Sequence, residues 1–168
     1  MKVILYMAIS VNGMIARDND DTSWVSKDSW KSYLEIISKT GAAIVGNKTF
    51  QLMKKDEFIE NCTYVVVSRK EQKISSDNIL SATSVKSALE LLESKQISQA
   101  CIIGGGEINA AFMKAGLIDE VFLDIEPILL GKGIPLFKNS QFTSKLELIE
   151  TRKIWEGTLQ LHYRVVSV

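Results

Sequence analysis

Two groups of residues in this sequence have the types and spacing that could do chemistry. The first is the glycine run Gly104 to Gly106, which follows the apolar stretch ACII and precedes the helical pattern EINAAF. Glycines at the start of a helix let an anion such as a phosphate approach the unpaired backbone amides, because no Cβ blocks the way. The second group is the pair of carboxylates Asp28 and Asp124. A carboxylate in a dry cleft can hold a substrate N–H group or deliver a proton.

The segment GAAIVGNKTFQLM repeats the pattern of the glycine run, because Gly46 ends an apolar stretch and a short helical pattern follows it. Asn47 is predicted to cap that helix, and Lys48 and Thr49 lie in its first turn. Two such junctions at the carboxyl ends of neighbouring parallel strands would form a crevice of the kind in which α/β proteins bind nucleotides. The alternative at each junction is a tight turn without a ligand.

A third apolar stretch, YVVVSRK, ends in Ser68, Arg69 and Lys70. A hydroxyl and two cations at the same edge of a sheet suit the 2′-phosphate of NADPH, and an ordinary solvated loop is the alternative. Glu107 follows the glycine run and would repel a phosphate at that helix end unless its side chain turns aside.

Each carboxylate has a structural alternative to a catalytic role. Asp28 lies four residues after Trp24 and falls in the first turn of a helix that begins after Ser26, where an acid merely favours the helix dipole. Asp124 interrupts the apolar strand VFLDIEP, and its alternative is an edge position that faces water. Two carboxylates beside one substrate would differ in role, one neutral and one charged. Trp155, which precedes Glu-Gly, is predicted only to anchor a hairpin turn.

Composition argues against several classes of function. The chain of 168 residues has 20 Lys and Arg against 20 Asp and Glu, so it has no basic field for nucleic acid. One histidine and the distant pair Cys62 and Cys101 argue against a metal site. The cysteines are interpreted as reduced core residues of a cytoplasmic protein. The opening apolar run is too short for a signal peptide, and no stretch is long enough to span a membrane.

The groups described above must be positioned by a sheet. Short apolar runs alternate with helical periodicity, which predicts a single α/β domain over residues 1–168. Strands are predicted at residues 3–9, 42–46, 63–68, 100–104, 121–125, 145–150 and 158–166. Helices are predicted after Ser26, from Asn47, after Ser84 or Thr83, and from Glu107 to a C-terminal Gly116. The early strands are apolar at consecutive positions and the last two alternate, so the sheet is predicted to be mixed.

The order of MAISVNGMIA, VGNKTF, VVVSRK and IIGGGEINAAFMKAGLIDEVFLDIEPILLGKGIPLF resembles the dihydrofolate-reductase-like family. It is most similar to the branch that contains the C-terminal reductase domain of the bifunctional riboflavin-pathway enzyme. The resemblance implies a three-layer α/β fold with a mixed, mainly parallel sheet of about eight strands flanked by helices. It also implies a cis peptide bond between Gly104 and Gly105 and, as is common among relatives, a homodimer. The segment GKGIPLF is expected to close over the site or to pair with a second subunit, and the alternative is that its two glycines and Pro135 only form turns.

The resemblance further implies an NADPH-dependent oxidoreductase, either dihydrofolate reductase-like or 5-amino-6-(5-phosphoribosylamino)uracil reductase-like. Such an enzyme would transfer a hydride to a pterin or an aminopyrimidine in riboflavin biosynthesis or in folate or pterin metabolism. The residues expected to contact NADPH are Ala8, Ile15, Gly46, Asn47, Lys48, Thr49, Ser68, Arg69, Gly104, Gly105, Gly106 and Glu107. Asp28 or Asp124 is expected to be the acid, and relatives commonly have threonine at the position of Asp124. The alternative function is a non-catalytic nucleotide-binding module on the same fold.

Overall fold

An eight-stranded sheet forms the middle layer of the part of the chain that the structure describes. The structure is a computed structural model, and it describes residues 1–70, 72, 76–138 and 140–166. In chain order its strands are β1 (Lys2–Ser10), β2 (Met14–Ala16), β3 (Ala42–Gly46), β4 (Thr63–Val67), β5 (Ile79–Ala82), β6 (Gln99–Ile102), β7 (Glu120–Glu126), β8 (Ile134–Pro135), β9 (Lys145–Trp155) and β10 (Thr158–Val166). Strands β2 and β8 pair with each other outside the large sheet.

The strand order in the large sheet is β5-β4-β3-β6-β1-β7-β10-β9. The first six strands in this order, β5, β4, β3, β6, β1 and β7, are parallel to one another. Strand β10 is antiparallel to β7 and forms a hairpin with β9. The predicted mixed, mainly parallel sheet is therefore confirmed. The carboxyl ends of its parallel strands lie along one edge, which is where ligands bind in open α/β sheets.

The helices are α1 (Lys27–Thr40), α2 (Asn47–Leu52), α3 (Val85–Ser94) and α4 (Gly106–Lys114), with a short 3-10 helix at Lys55–Glu57. The predicted caps of α1 and α3 are confirmed, because the side chains of Ser26 and Ser84 each accept a hydrogen bond from a first-turn amide. The predicted cap at Asn47 is wrong. Gly46 is the N-cap of α2, and Asn47 is already helical. The Gly46 amide donates a hydrogen bond to the carbonyl oxygen of Gly104, which follows β6. Gly46 therefore stays in the extended conformation, and the helix begins at Asn47.

Apolar side chains fill both sides of the sheet. Leu5 and Ile44 point to the side covered by α3 and α4, whereas their neighbours Tyr6 and Val45 point to the side covered by α1. This arrangement explains the consecutive apolar positions of these strands, since successive residues face opposite sides. The three-layer fold predicted from the sequence is confirmed. None of the described helices is long and apolar enough to cross a membrane.

Candidate active site

The two glycine junctions meet at the carboxyl edge of the sheet. Strands β3 and β6 are neighbours, and the Gly46 amide donates a hydrogen bond of 2.8 Å to the carbonyl oxygen of Gly104. The peptide bond between Gly104 and Gly105 is cis, as the resemblance implies. The backbones of the two junctions therefore form one continuous surface.

Close packing within the chain requires glycine at two positions of this surface. A Cβ at Gly46 would lie 2.7 Å from Cγ1 of Ile108. A Cβ at Gly106 would lie 2.5 Å from the carbonyl oxygen of Pro135. The chain's own packing therefore accounts for part of the glycine pattern.

Helix α4 begins beside this surface with free backbone donors. Its N-cap, Gly105, provides no side-chain cap. Within the described residues, no hydrogen bond has the amide of Gly105, Gly106 or Glu107 as its donor. The Glu107 carboxylate is exposed and pairs with Lys138, with 3.2 Å between Oε1 and Nζ. This end of the helix therefore offers N–H groups and a positive dipole end to an anion.

The residues predicted to hold phosphates lie on or near this edge. Lys48, in α2, pairs with Asp20 at 2.8 Å. Ser68 follows β4, the neighbour of β3, and its hydroxyl accepts a hydrogen bond of 3.2 Å from the side-chain amide of Gln72. Arg69 is exposed next to it. Their contacts with a phosphate stay a prediction.

Of the two residues predicted to lie near the nicotinamide, Ala8 comes from the middle of the large sheet and Ile15 from the small sheet of β2 and β8. Ala8 lies on β1, between β6 and β7, and pairs with Asp124 in the strand register. Ile15 is buried in β2. The GKGIPLF segment lies against the glycine run and the start of α4, because a Cβ at Gly106 would lie 2.5 Å from the carbonyl oxygen of Pro135 and the side-chain amide of Asn109 donates to the carbonyl oxygen of Leu136 at 3.0 Å.

Asp124 is completely buried, with no exposed surface. The side-chain amide of Gln160 donates to its Oδ1 at 2.7 Å, and the hydroxyl oxygen of Tyr6 lies 2.5 Å from its Oδ2. The alternative of an edge position facing water is wrong, because β10 pairs with β7 and α1 covers this region. The Asp124 carboxyl group also contacts Ser29, whose hydroxyl donates a hydrogen bond to Glu126.

The surroundings of Asp124 shift its pKa. The Tyr6 hydroxyl oxygen also lies 2.7 Å from the carbonyl oxygen of Ser29. The single proton of the phenol is therefore shared between two acceptors, the Ser29 carbonyl oxygen and the Asp124 carboxyl group. Burial raises the pKa of Asp124 above its ordinary value, although hydrogen bonds from Tyr6 and Gln160 act in the opposite direction. Burial, and then the neighbouring Asp124, also raise the pKa of Tyr6. Burial therefore favours the neutral form of Asp124.

Asp28 lies in different surroundings. It is in the first turn of α1, its side chain is 31 % exposed, and its carboxylate pairs with Lys31 at 2.9 Å. The next residue, Ser29, is the one that points toward the sheet and is fully buried. The structure therefore does not bring the two predicted acids together, and only Asp124 is in the dry environment expected for both.

A cavity of about 540 Å³ opens beside Asp28. Its lining residues are Trp24, Val25, Ser26, Lys27, Asp28, Glu126, Pro127, Ile128 and Trp155. Trp155 ends β9 at the hairpin turn, as predicted, and also forms a wall of this cavity, which was not predicted. The volume is in the range of small-molecule sites, and the two indoles provide apolar walls.

Glu126 is the functional candidate that the sequence analysis missed. It ends β7, lines the cavity and is 2 % exposed. Its Oε1 accepts hydrogen bonds from the amide of Ser26 at 2.9 Å and the hydroxyl of Ser29 at 2.6 Å. Its Oε2 accepts one from the hydroxyl of Thr158 at 3.0 Å. The spacing of two from Asp124 was the available signal, because alternate residues of a strand share a face.

The sheet topology, the joined glycine junctions and the adjacent cavity define an α/β protein of the dihydrofolate-reductase-like class. The chain belongs to the RibD C-terminal domain family, whose profile matches residues 1–160. The family named by the sequence resemblance is thereby confirmed.

Individual relatives agree with this family. The uncharacterized protein YwjB of Bacillus subtilis is 27 % identical over 169 residues, which cover 96 % of this chain and 97 % of that protein. Dihydrofolate reductase type 1 of Escherichia coli is 35 % identical over 134 residues, which cover 76 % of this chain and 78 % of that protein. The fold is also similar to a solved structure, that of the diaminohydroxyphosphoribosylaminopyrimidine deaminase/5-amino-6-(5-phosphoribosylamino)uracil reductase of Thermotoga maritima. The two match with a TM-score of 0.80 at 20 % identity, over 98 % of this chain and 56 % of that chain. The family and its relatives indicate a reductase-like function.

Proposed function

We propose that this chain is a single-domain, NADPH-dependent oxidoreductase that transfers a hydride to a pterin or an aminopyrimidine. The observation that carries the proposal is the hydrogen bond from the Gly46 amide to the Gly104 carbonyl oxygen. It joins two glycine junctions into one surface at the edge of the sheet where nucleotides bind in α/β proteins. The reductase-like family supplies the class of reaction.

The residues of this surface fit a dinucleotide. The amides of Gly105, Gly106 and Glu107, which have no acceptor within the described residues, would hold the pyrophosphate. Ser68 and Arg69 would hold the 2′-phosphate of the adenosine. The remaining proposed contacts are Gly46, Asn47, Lys48 and Thr49 at the pyrophosphate, and Ala8, Ile15 and Gly104 beside the nicotinamide. When bound, NADPH supplies a hydride with its two electrons and leaves as NADP⁺.

The chain itself would position the acceptor ring and provide a proton. Reduction of a C=N bond leaves a new C–H bond from the hydride and a new N–H bond that requires one proton. The cavity lies at the end of β7, and the glycine run at the end of β6, with β1 between them. Neighbouring strands are about 4.8 Å apart, so the two strand ends are roughly 10 Å apart. Asp28 in the cavity wall and the buried Asp124, whose pKa is raised by burial, are the proposed acids.

Cofactor binding and turnover test the proposal separately. Binding is measured as the change in NADPH fluorescence when protein is added. Turnover is measured as loss of the absorbance of NADPH with dihydrofolate, dihydrobiopterin or 5-amino-6-(5-phosphoribosylamino)uracil. Binding together with oxidation in the presence of at least one of these compounds is the expected result. Binding without oxidation by any of them would instead identify a non-catalytic nucleotide-binding module.

The variant Gly105→Val tests the glycine surface itself. A Cβ at Gly105 would lie 3.0 Å from Oγ1 of Thr49, and the valine methyls would occupy the space above the free amides. We expect NADPH affinity to fall at least about tenfold, which corresponds to ~1.4 kcal/mol. The matched control is Gly131→Ala, because a Cβ there meets no atom within 4 Å. A Gly105→Val protein that folds normally and binds NADPH as tightly as the parent would contradict the proposal.

A further inference from the structure

We propose that Glu126, rather than Asp28, is the carboxylate that binds the substrate ring in the cavity. This inference rests on the proposed function, because it names the group that holds the acceptor ring. The sequence analysis placed one candidate acid, Asp28, on helix α1, whereas the structure places a buried carboxylate, Glu126, at the end of β7 in the wall of the cavity.

The hydrogen bonds of Glu126 leave its side chain with room for a ligand. It has three partners, the Ser26 amide and the hydroxyls of Ser29 and Thr158. A carboxylate has about four acceptor positions on its two oxygens. Three are filled, two of them on Oε1, so Oε2 retains one acceptor position, and Glu126 is one of the residues that line the cavity.

The charged groups around Glu126 favour this assignment. Asp124 lies on the same face of β7, and burial and the neighbouring Glu126 both raise its pKa, which favours the neutral form of Asp124 and limits repulsion between the two carboxyls. Lys27 and Asp28 line the cavity from α1. Asp28 is paired with Lys31 and is partly solvated, which weakens any bond it makes, whereas Glu126 acts from a dry position.

The shape of the cavity specifies the class of ligand. Trp24 and Trp155 present indole rings, on which a flat heterocycle can stack. A ring with an amino group beside a ring N–H would direct those donors at Glu126 while its faces contact the indoles. Pterins and aminopyrimidines both have such an edge. The ligand class is therefore an amidine-edged aromatic heterocycle.

The probe for the experiment is 2,4-diaminopyrimidine, titrated into the full-length protein. Binding is followed by tryptophan fluorescence, because Trp24 and Trp155 flank the cavity. We expect Glu126→Gln to weaken binding at least about tenfold and to raise KM for the reducible substrate, with NADPH affinity unchanged. Asp28→Asn is expected to weaken binding by less than about threefold. Glu35→Gln, an exposed acid of the same helix, controls for a general change in charge.

Two results would overturn the inference. The first is a folded Glu126→Gln protein that binds the probe as tightly as the parent. The second is a loss of about tenfold or more in Asp28→Asn, which decides the question even if Glu126→Gln does not fold. A parent protein that fails to bind NADPH but binds the probe through Glu126 would overturn the proposed function and leave this site standing.

Discussion

Asp124 and Glu126 are two residues apart on one face of β7, yet they contact different groups. Glu126 accepts hydrogen bonds from the Ser26 amide and from the hydroxyls of Ser29 and Thr158, and it lines the cavity. Asp124 contacts Tyr6 and Gln160, and burial raises its pKa. The sequence analysis expected two acids beside the substrate, on α1 and β7, whereas the two buried acids of the structure lie on one strand.

A first prediction at this scale concerns Asp124→Asn. Because burial raises the folded-state pKa of Asp124 above its ordinary value of 3.8, the stabilisation from its proton is complete below that pH. It is lost as the pH rises toward the folded value, at up to about 1.4 kcal/mol per pH unit. Asparagine is always neutral, and it can accept from Gln160 and donate to Tyr6. The parent should therefore lose stability relative to Asp124→Asn as the pH rises.

Thermal melting of the two proteins from about pH 4 to about pH 8 measures this difference. The gap between their Tm values should change steadily in favour of Asp124→Asn as the pH increases. Two parallel curves would show that Asp124 is ionised in the folded protein throughout the range.

At the scale of the element, the start of α1 builds the cavity. Ser26 caps the helix with its side chain and reaches Glu126, 100 residues further along the chain, with its amide. The helix cap and the cavity therefore depend on the same residue. Ser84, the cap of α3, is a matched residue whose described contacts lie within its own first turn.

The pair Ser26→Ala and Ser84→Ala separates these roles. Each variant should lose about 1 kcal/mol of unfolding free energy, because each helix loses one capping hydrogen bond. Only Ser26→Ala should also weaken 2,4-diaminopyrimidine binding, since its loosened first turn no longer fixes the cavity wall. Denaturant unfolding and the fluorescence titration measure the two effects. Equal probe affinity in both variants would show that the cap does not position the cavity.

Elements were predictable from the sequence where local pattern alone stabilises them. The predicted bounds of β3 and β10, residues 42–46 and 158–166, agree with the structure because these stretches have their pattern along the whole strand. Strands β2, β5 and β8 were missed. Two of them contain three and two residues, and they exist because they pair with each other across more than a hundred residues. Glu126 and Trp155 were not predicted to line the cavity for the same reason, since only the folded chain brings them beside α1.

At the scale of the whole molecule, β9 is an open edge. It is 11 residues long, forms one border of the sheet, and exposes Leu146 and Leu148 to solvent at 42 % and 54 %. Exposed edge strands of this length pair readily with another strand unless they are covered or protected. We propose that a second copy of the chain covers β9 and forms the homodimer that the sequence resemblance implies.

The variant Leu148→Lys tests this dimer. A lysine in the middle of the edge should disfavour pairing, so light scattering after gel filtration should give the mass of two chains for the parent and of one chain for the variant. Lys145→Gln, at the first residue of the same strand, is the control and should remain dimeric. A monomeric parent, or a variant with the parent's mass, would contradict the proposal.

The order of these parts along the chain has a consequence for synthesis. A ribosome has translated both glycine junctions once it passes residue 106, whereas Trp155 and Thr158, which complete the cavity and its carboxylate, follow much later. A nascent chain halted between these points has the backbone that is proposed to bind the dinucleotide, but it lacks Trp155, on which a ring could stack. Under the proposed function, the growing chain would have its NADPH-binding backbone before it could bind a substrate.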